Sequence, residues 1–192
     1  MKHETREAWL SAALEKVRAH LSTRAQMILP LNCRVSVGFP GGRGKTNKAI
    51  GQCWPSNLSG DKSHEMFISP VLDEPSRVLD VLIHEAIHAA DDNKSGHKGA
   101  FRRAAIAAGL EGKMTATVAS EALKPILKDW SDSLGPYPHA KLDLNSPLRI
   151  RQGTRMLKCS CPDCGYTVRT TAKWIDIGLP VCPCGTEMEA PS

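Results

Sequence analysis

His84-Glu85-Ala86-Ile87-His88 falls inside a segment, Arg77 to about Ala90, whose apolar spacing predicts a helix. Asp73 is the expected N-cap of that helix, and Pro75 fits its first turn. At 3.6 residues per turn, positions four apart lie roughly 40° apart, so both imidazoles leave the helix from one face. Glu85 projects roughly 60° from His88, beside the histidines but not in line with them. A fold that accommodates this chain must therefore turn one helix face, with two imidazoles and a carboxylate, toward a shared cavity. Asp91 to Gly96 reads as a loop, and His97 to about Ala108 as a further helix ended by Gly109. A glycine at that turn lets His97 fold back over the first helix. Asp91, Asp92, Glu111 and Glu121 are rivals for the same place, although loop solubility and helix capping explain them more simply. His64, just before a strand, is a weaker candidate.

Two imidazoles at i and i+4 with a glutamate between them suit Zn²⁺, and catalytic zinc sites commonly use three protein ligands with one open position. On this reading His84, His88 and His97 are the ligands, and neutral imidazoles leave the ion Lewis acidic enough to lower the pKa of water bound to it. Glu85 would take the proton of that water as it attacks a carbonyl, then pass it to the leaving amine. Tyr137 and His139 are the obvious later donors for an oxyanion, but no spacing assigns them the role.

Five of the seven cysteines, Cys159, Cys161, Cys164, Cys182 and Cys184, crowd into the last part of the chain. An odd total and no export signal argue against a disulfide framework. Cys161-Pro162-Asp163-Cys164-Gly165 resembles the first half of a zinc ribbon, and Cys182-Pro183-Cys184-Gly185 follows at ribbon spacing, with C-x-C where C-x₂-C is expected. Cys161, Cys164, Cys182 and Cys184 are the favoured structural ligands, with Cys159 as substitute. A module this short needs such a staple, because it cannot bury enough apolar area to fold alone. Two Zn²⁺ ions are expected, one catalytic and one structural. Cys33 and Cys53 read as small hydrophobes in strands.

The remaining elements are an amphipathic helix from Glu4 to about Met27, strands at Arg34–Phe39, Lys48–Trp54 and Glu65–Ser69, and a helical stretch from about Ala116 to Trp130, bent or split at Pro125. Gly38 to Gly44-Lys45-Thr46 resembles a phosphate-binding loop, but it has one residue too many between its glycines and no helix after it. The order predicts an α+β fold: a domain over residues 1–130, a connector over 131–152 and a ribbon over 153–192. No run approaches the roughly 18–20 apolar residues that cross a bilayer, so no membrane partner and an intracellular, cytoplasmic or nucleoid-associated location are expected. The net charge of +5 is modest. Between Arg149 and Lys173, however, six cationic side chains face Asp163 alone, a density that attracts phosphate. Arg151, Arg155, Arg169 and Lys173 are the candidate nucleic-acid contacts.

Beyond the histidine motif, the chain carries Gly51-Gln52-Cys53-Trp54, Ile68-Ser69-Pro70, the run Leu79 to His88, Gly96-His97 and Phe101. Gly109 to Lys113, Gly135-Pro136-Tyr137-Pro138-His139 and Cys164 to Thr171 follow. Together these resemble the SprT-like zinc metallopeptidase family, which includes the Spartan proteases of DNA–protein crosslink repair, and above all its small bacterial and phage-type members with a C-terminal zinc ribbon. The resemblance spans nearly the whole chain. It implies a zincin-like domain with helices packed on a small three-stranded sheet, zinc held by His84, His88 and His97, and Glu85 as the catalytic residue. The expected activity is that of a zinc endopeptidase acting on DNA-associated protein, with DNA as a partner. The alternative is a nucleic-acid-binding ribbon protein, a transcription or repair accessory, whose histidine site is structural or weakly active. A hydrolase of a non-peptide amide is a third, weaker reading. Substrate protein, form of DNA and oligomeric state are not set by the sequence.

Overall fold

The computed structural model describes residues 2–41, 49–146 and 156–191. It is a mixed α+β structure of helices and small sheets, and the chain divides into two compact units, Met1–Leu144 and Asn145–Ser192.

The first unit opens with helix α1 (Arg6–His20), capped by Thr5, whose hydroxyl accepts from the Ala8 N–H. One helix face buries Trp9, Leu10, Ala13, Leu14 and Val17, the stripe that helical periodicity requires. A π-helical turn (Leu21–Ala25) extends α1, and Gln26, at a φ of 53°, ends it. Strands β1 (Cys33–Val37), β2 (Gly51–Trp54) and β3 (His64–Ile68) form a sheet in the order β1-β3-β2, with β1 parallel and β2 antiparallel to β3. β2 is thus an edge strand. The strand expected from Lys48 begins at Gly51, and Lys48 itself lies outside the described residues, as do Gly44, Lys45 and Thr46 of the loop before it.

Helix α2 (Pro75–Ala90) is the centre of the unit. Its side chains Val78, Leu79, Leu82, Ile83, Ala86, Ile87 and Ala89 are almost completely buried. Each large aliphatic side chain removed from water in this way contributes about 1.5–3 kcal/mol. Glu74, not Asp73, caps the helix, with its carboxylate accepting from the Ser76 and Arg77 N–H groups, while Asp73 faces Lys141 at 3.5 Å. Helix α3 (Gly99–Ala107) starts two residues later than expected, which leaves His97 in the loop before it.

The segment after Gly109 differs from the helix expected from about Ala116. A hairpin forms from β4 (Leu110–Lys113) and β5 (Ala116–Ala119), and helix α4 (Lys124–Leu134) starts beyond it with Pro125 in its first turn. Gly109 and Gly112, at φ values of 91° and 89°, supply the left-handed turns that divert the chain from a helix. The part of the expected connector that follows α4 also folds onto this unit. Buried Arg6 donates to the carbonyls of Pro138 (2.9 Å), His139 and Ala140, and Trp9 Nε1 donates to Gly135 O (2.9 Å).

The second unit holds a hairpin of β6 (Met156–Ser160) and β7 (Thr167–Thr171), then a single-turn helix α5 (Ala172–Ile175). Its core is Cys159, Cys161, Cys182 and Met188. Among the described residues no helix is long and apolar enough to cross a membrane.

Candidate metal centres

His84 and His88 leave α2 on one face, as their spacing requires, and His97 returns to them from the loop after it. Their Nε2 atoms converge: His84 to His97 is 3.3 Å and His88 to His97 is 3.2 Å. The loop reaches back because Asp92, Asn93 and Gly96 take left-handed φ values of 50°, 57° and 52°. Side chains hold it there. Asn93 Nδ2 donates to Cys53 O (3.2 Å), Asp92 Oδ1 accepts from Ser56 N (3.2 Å), and Asp91 Oδ2 accepts from Ser95 N (2.6 Å). Phe101, fully buried on α3, floors the cluster, with its ring stacked on His88 at 4.3 Å and edge-on to His84 and His97.

Burial, reinforced by the neighbouring imidazoles, pushes His84 down to about 3; burial likewise lowers His88 to about 4 and shifts His97 in the same direction. All three rings are therefore neutral near pH 7, the form that donates a lone pair to a metal. A tetrahedral ion with bonds of about 2.0–2.1 Å to nitrogen separates its ligand atoms by about 3.3 Å, so the donor set and its spacing are compatible with zinc. The Nδ1 atom of His88 is buried without a partner, whereas that of His84 meets Thr117 Oγ1 at 2.9 Å.

Glu85 is 5% exposed, and burial raises its carboxyl to about 8. The backbone of β2 runs against it. A Cβ on Gly51 would lie 2.3 Å from Glu85 Oε1 and 2.6 Å from Val81 Cγ1, so glycine is the residue that fits this approach. The cleft above the histidines has a volume of about 470 Å³. β2 forms one wall (Gly51 to Cys53), residues 115–117 form another, and Arg77 contributes its guanidinium.

The rivals for the third ligand position lie elsewhere. Asp91 and Asp92 accept loop hydrogen bonds, Glu111 is exposed on β4, and Glu121 pairs with Lys124. His64 is buried at the start of β3, with Nδ1 3.7 Å from Asp92 Oδ1. Tyr137 and His139 do not line the cleft. Tyr137 packs edge-on to Trp9 at 5.0 Å under the Arg6 guanidinium, and burial raises its hydroxyl to about 12. Sequence reasoning missed Thr117 and the contact between Gly51 and Glu85. Nothing local marks Thr117, while Gly51 is visible only as part of a family-like tetrapeptide.

In the second unit the thiols of Cys161, Cys164, Cys182 and Cys184 all lie within 4.8 Å of one another. Cys161 to Cys184 is 3.5 Å and Cys164 to Cys182 is 3.4 Å, close to the sulfur spacing of about 3.8 Å set by four Zn–S bonds of about 2.3 Å. The shortened second pair still closes. Gly185 N donates to Cys182 O (2.8 Å) as Gly165 N does to Cys161 O (3.1 Å), and both glycines adopt positive φ. Cys159 is fully buried on β6 opposite Val168, outside the cluster. Arg169 and Lys173 are exposed, and Arg151 and Arg155 lie outside the described residues. Comparison with family models, with curated proteins and with solved structures finds no match, so the argument for function rests on these two side-chain groups.

Proposed function

We propose that the chain is a zinc-dependent endopeptidase of the SprT-like kind, with a zincin-like first unit, a zinc-ribbon second unit and DNA-associated proteins as substrates. The observation that carries this reading is the convergence of three neutral imidazoles at the floor of an open cleft with a buried carboxylate beside them. A purely structural metal site has no need of Glu85, whose burial without a cation partner costs stability. The edge strand β2 supports a peptide substrate, because an extended chain can add its own hydrogen bonds along such an edge.

Bound at His84, His88 and His97, Zn²⁺ supplies Lewis acidity toward water and the substrate carbonyl. Glu85 is drawn back toward its ionised form when those imidazoles hold a dication. It then accepts a proton from the attacking water and delivers it to the leaving amine. Gly51 keeps β2 close, and β2 aligns the scissile peptide with that carboxylate.

A second reading, a nucleic-acid-binding module, draws on the second unit. Lys158 and Arg169 face each other across β6 and β7, a like-charge pair that an anion would relieve. Tyr166 and Trp174 are about half exposed, and Lys173 lies 5.0 Å over the Trp174 ring, an arrangement suited to stacking and phosphate contact. One experiment separates the readings: a DNA-bound protein and the same protein without DNA are each incubated with wild type and with Glu85→Gln. The endopeptidase reading expects wild type to cleave and the variant, still loaded with metal, to be slower by about 10²–10⁴. Equal rates would remove Glu85 from the mechanism. DNA binding with no cleavage by wild type would favour the binding module.

A further inference from the structure

One face of α2 holds β5 at three points. Arg77, Asp80 and His84, at i, i+3 and i+7, share that face. Arg77 Nη1 donates to Thr117 O (3.0 Å), Asp80 Oδ2 accepts from Ala119 N (3.3 Å), and His84 Nδ1 meets Thr117 Oγ1 (2.9 Å). Thr117 is an inward position of β5 and 5% exposed, so its hydroxyl has little freedom to turn elsewhere.

A neutral imidazole has one N–H and one lone pair, and the hydrogen bond made by one nitrogen decides which atom keeps the proton. His84 Nε2 faces His97 Nε2 at 3.3 Å. For a metal to be shared there, the proton of His84 must reside on Nδ1, where an acceptor is needed. We propose that Thr117 is the positioning residue of the histidine centre: its Oγ1 accepts the Nδ1–H of His84 and keeps the Nε2 lone pair aimed at the point shared with His88 and His97. Arg77 and Asp80 fix the strand that carries it. The inference rests on the three histidines forming a metal site, and it holds whether or not that site cleaves peptides. It also assigns a role to the hairpin, which otherwise only walls the cleft. Because His88 has no acceptor at Nδ1, the centre has a single oriented ring on α2, and Thr117 provides that orientation.

The test uses the full chain and two substitutions. Thr117→Val keeps the volume and removes the acceptor, whereas Thr117→Ser keeps the acceptor and removes a methyl group. Zn²⁺ affinity is measured by chelator competition. Co²⁺ loading is followed in parallel, since thiolate charge-transfer bands report the cysteine centre alone. Thr117→Val is expected to weaken the histidine centre about 10–100-fold, with the cysteine centre unchanged and Thr117→Ser close to wild type. Equal affinity for wild type and Thr117→Val, or a serine variant as weak as the valine variant, would overturn the proposal. Should Thr117→Val fail to fold, ¹⁵N NMR of metal-free wild type decides instead: His84 must be the Nδ1–H tautomer, and an Nε2–H tautomer overturns the role. Wild type that loads only its cysteine centre would overturn the histidine metal site itself, a result distinct from a bound metal indifferent to Thr117.

Discussion

The histidine and cysteine centres bring donor atoms to nearly the same separations from opposite starting points. The three histidines stand on a unit whose core includes Trp9, Phe101 and most of α2. That core is large enough to hold Nε2 atoms 3.2–3.3 Å apart through packing and loop hydrogen bonds. The four cysteines stand on a unit whose core is three cysteines and Met188. Chains below about 40 residues seldom fold without metal or disulfide support, and here the donors are also most of the core. The difference suggests a division of labour. In the first unit the fold positions the metal, and in the second the metal makes the fold.

The largest effect expected from this comparison is on chelation. Removing both ions should unfold the second unit while leaving the first folded. Amide dispersion should collapse for β6 and β7 and persist for α2 and β3 in NMR spectra. Cys182→Ser should reproduce the loss in the second unit alone. Survival of both units after chelation would erase the contrast.

Acid should act in the opposite sense, on the first unit of the chelated protein. Burial lowers His84 to about 3 and His88 to about 4, while an unfolded histidine titrates near 6.5. The folded values lie below the unfolded one, so protonation favours the unfolded chain. The stability is fully present above about pH 6.5 and is lost as pH falls toward 4, with a slope of up to about 1.4 kcal/mol per pH unit for each histidine. Denaturant midpoints of the first unit between pH 7.5 and 4.5 measure this, and a flat profile would contradict it. Replacing both histidines by glutamine should flatten the slope.

The smallest effect is steric. Gly51→Ala should cost the first unit about 1–3 kcal/mol, because a Cβ 2.3 Å from Glu85 Oε1 forces β2 and α2 apart. Part of that cost should disappear in a Glu85→Ala background. Additive losses in a denaturation double-mutant cycle would mean that Val81 alone resists the methyl group.

The sequence by itself determined what local periodicity and spacing can encode. Residues four apart on a helix share a face whatever surrounds them, so the pairing of His84 with His88 was legible, and the turn at Ser95-Gly96 foretold the return of His97. Glycines after each cysteine pair foretold two tight turns, and the shortened C-x-C spacing did not prevent closure. The three strands and the long helices were legible for the same reason, with ends displaced by a few residues. Tertiary structure decided what depends on segments far apart in the chain. Residues after Gly109 have a helical pattern of small apolar side chains, but two glycines at positive φ and the hydrogen bonds of Arg77 and Asp80 make a hairpin of them. Tyr137, a free candidate in sequence, is drawn under α1 by Trp9 and Arg6. Thr117 acquires meaning only when β5 is laid against α2, and Gly51 only when β2 passes Glu85. No window of local sequence contains both members of such a pair, and it is packing of the shared core that brings them within contact distance.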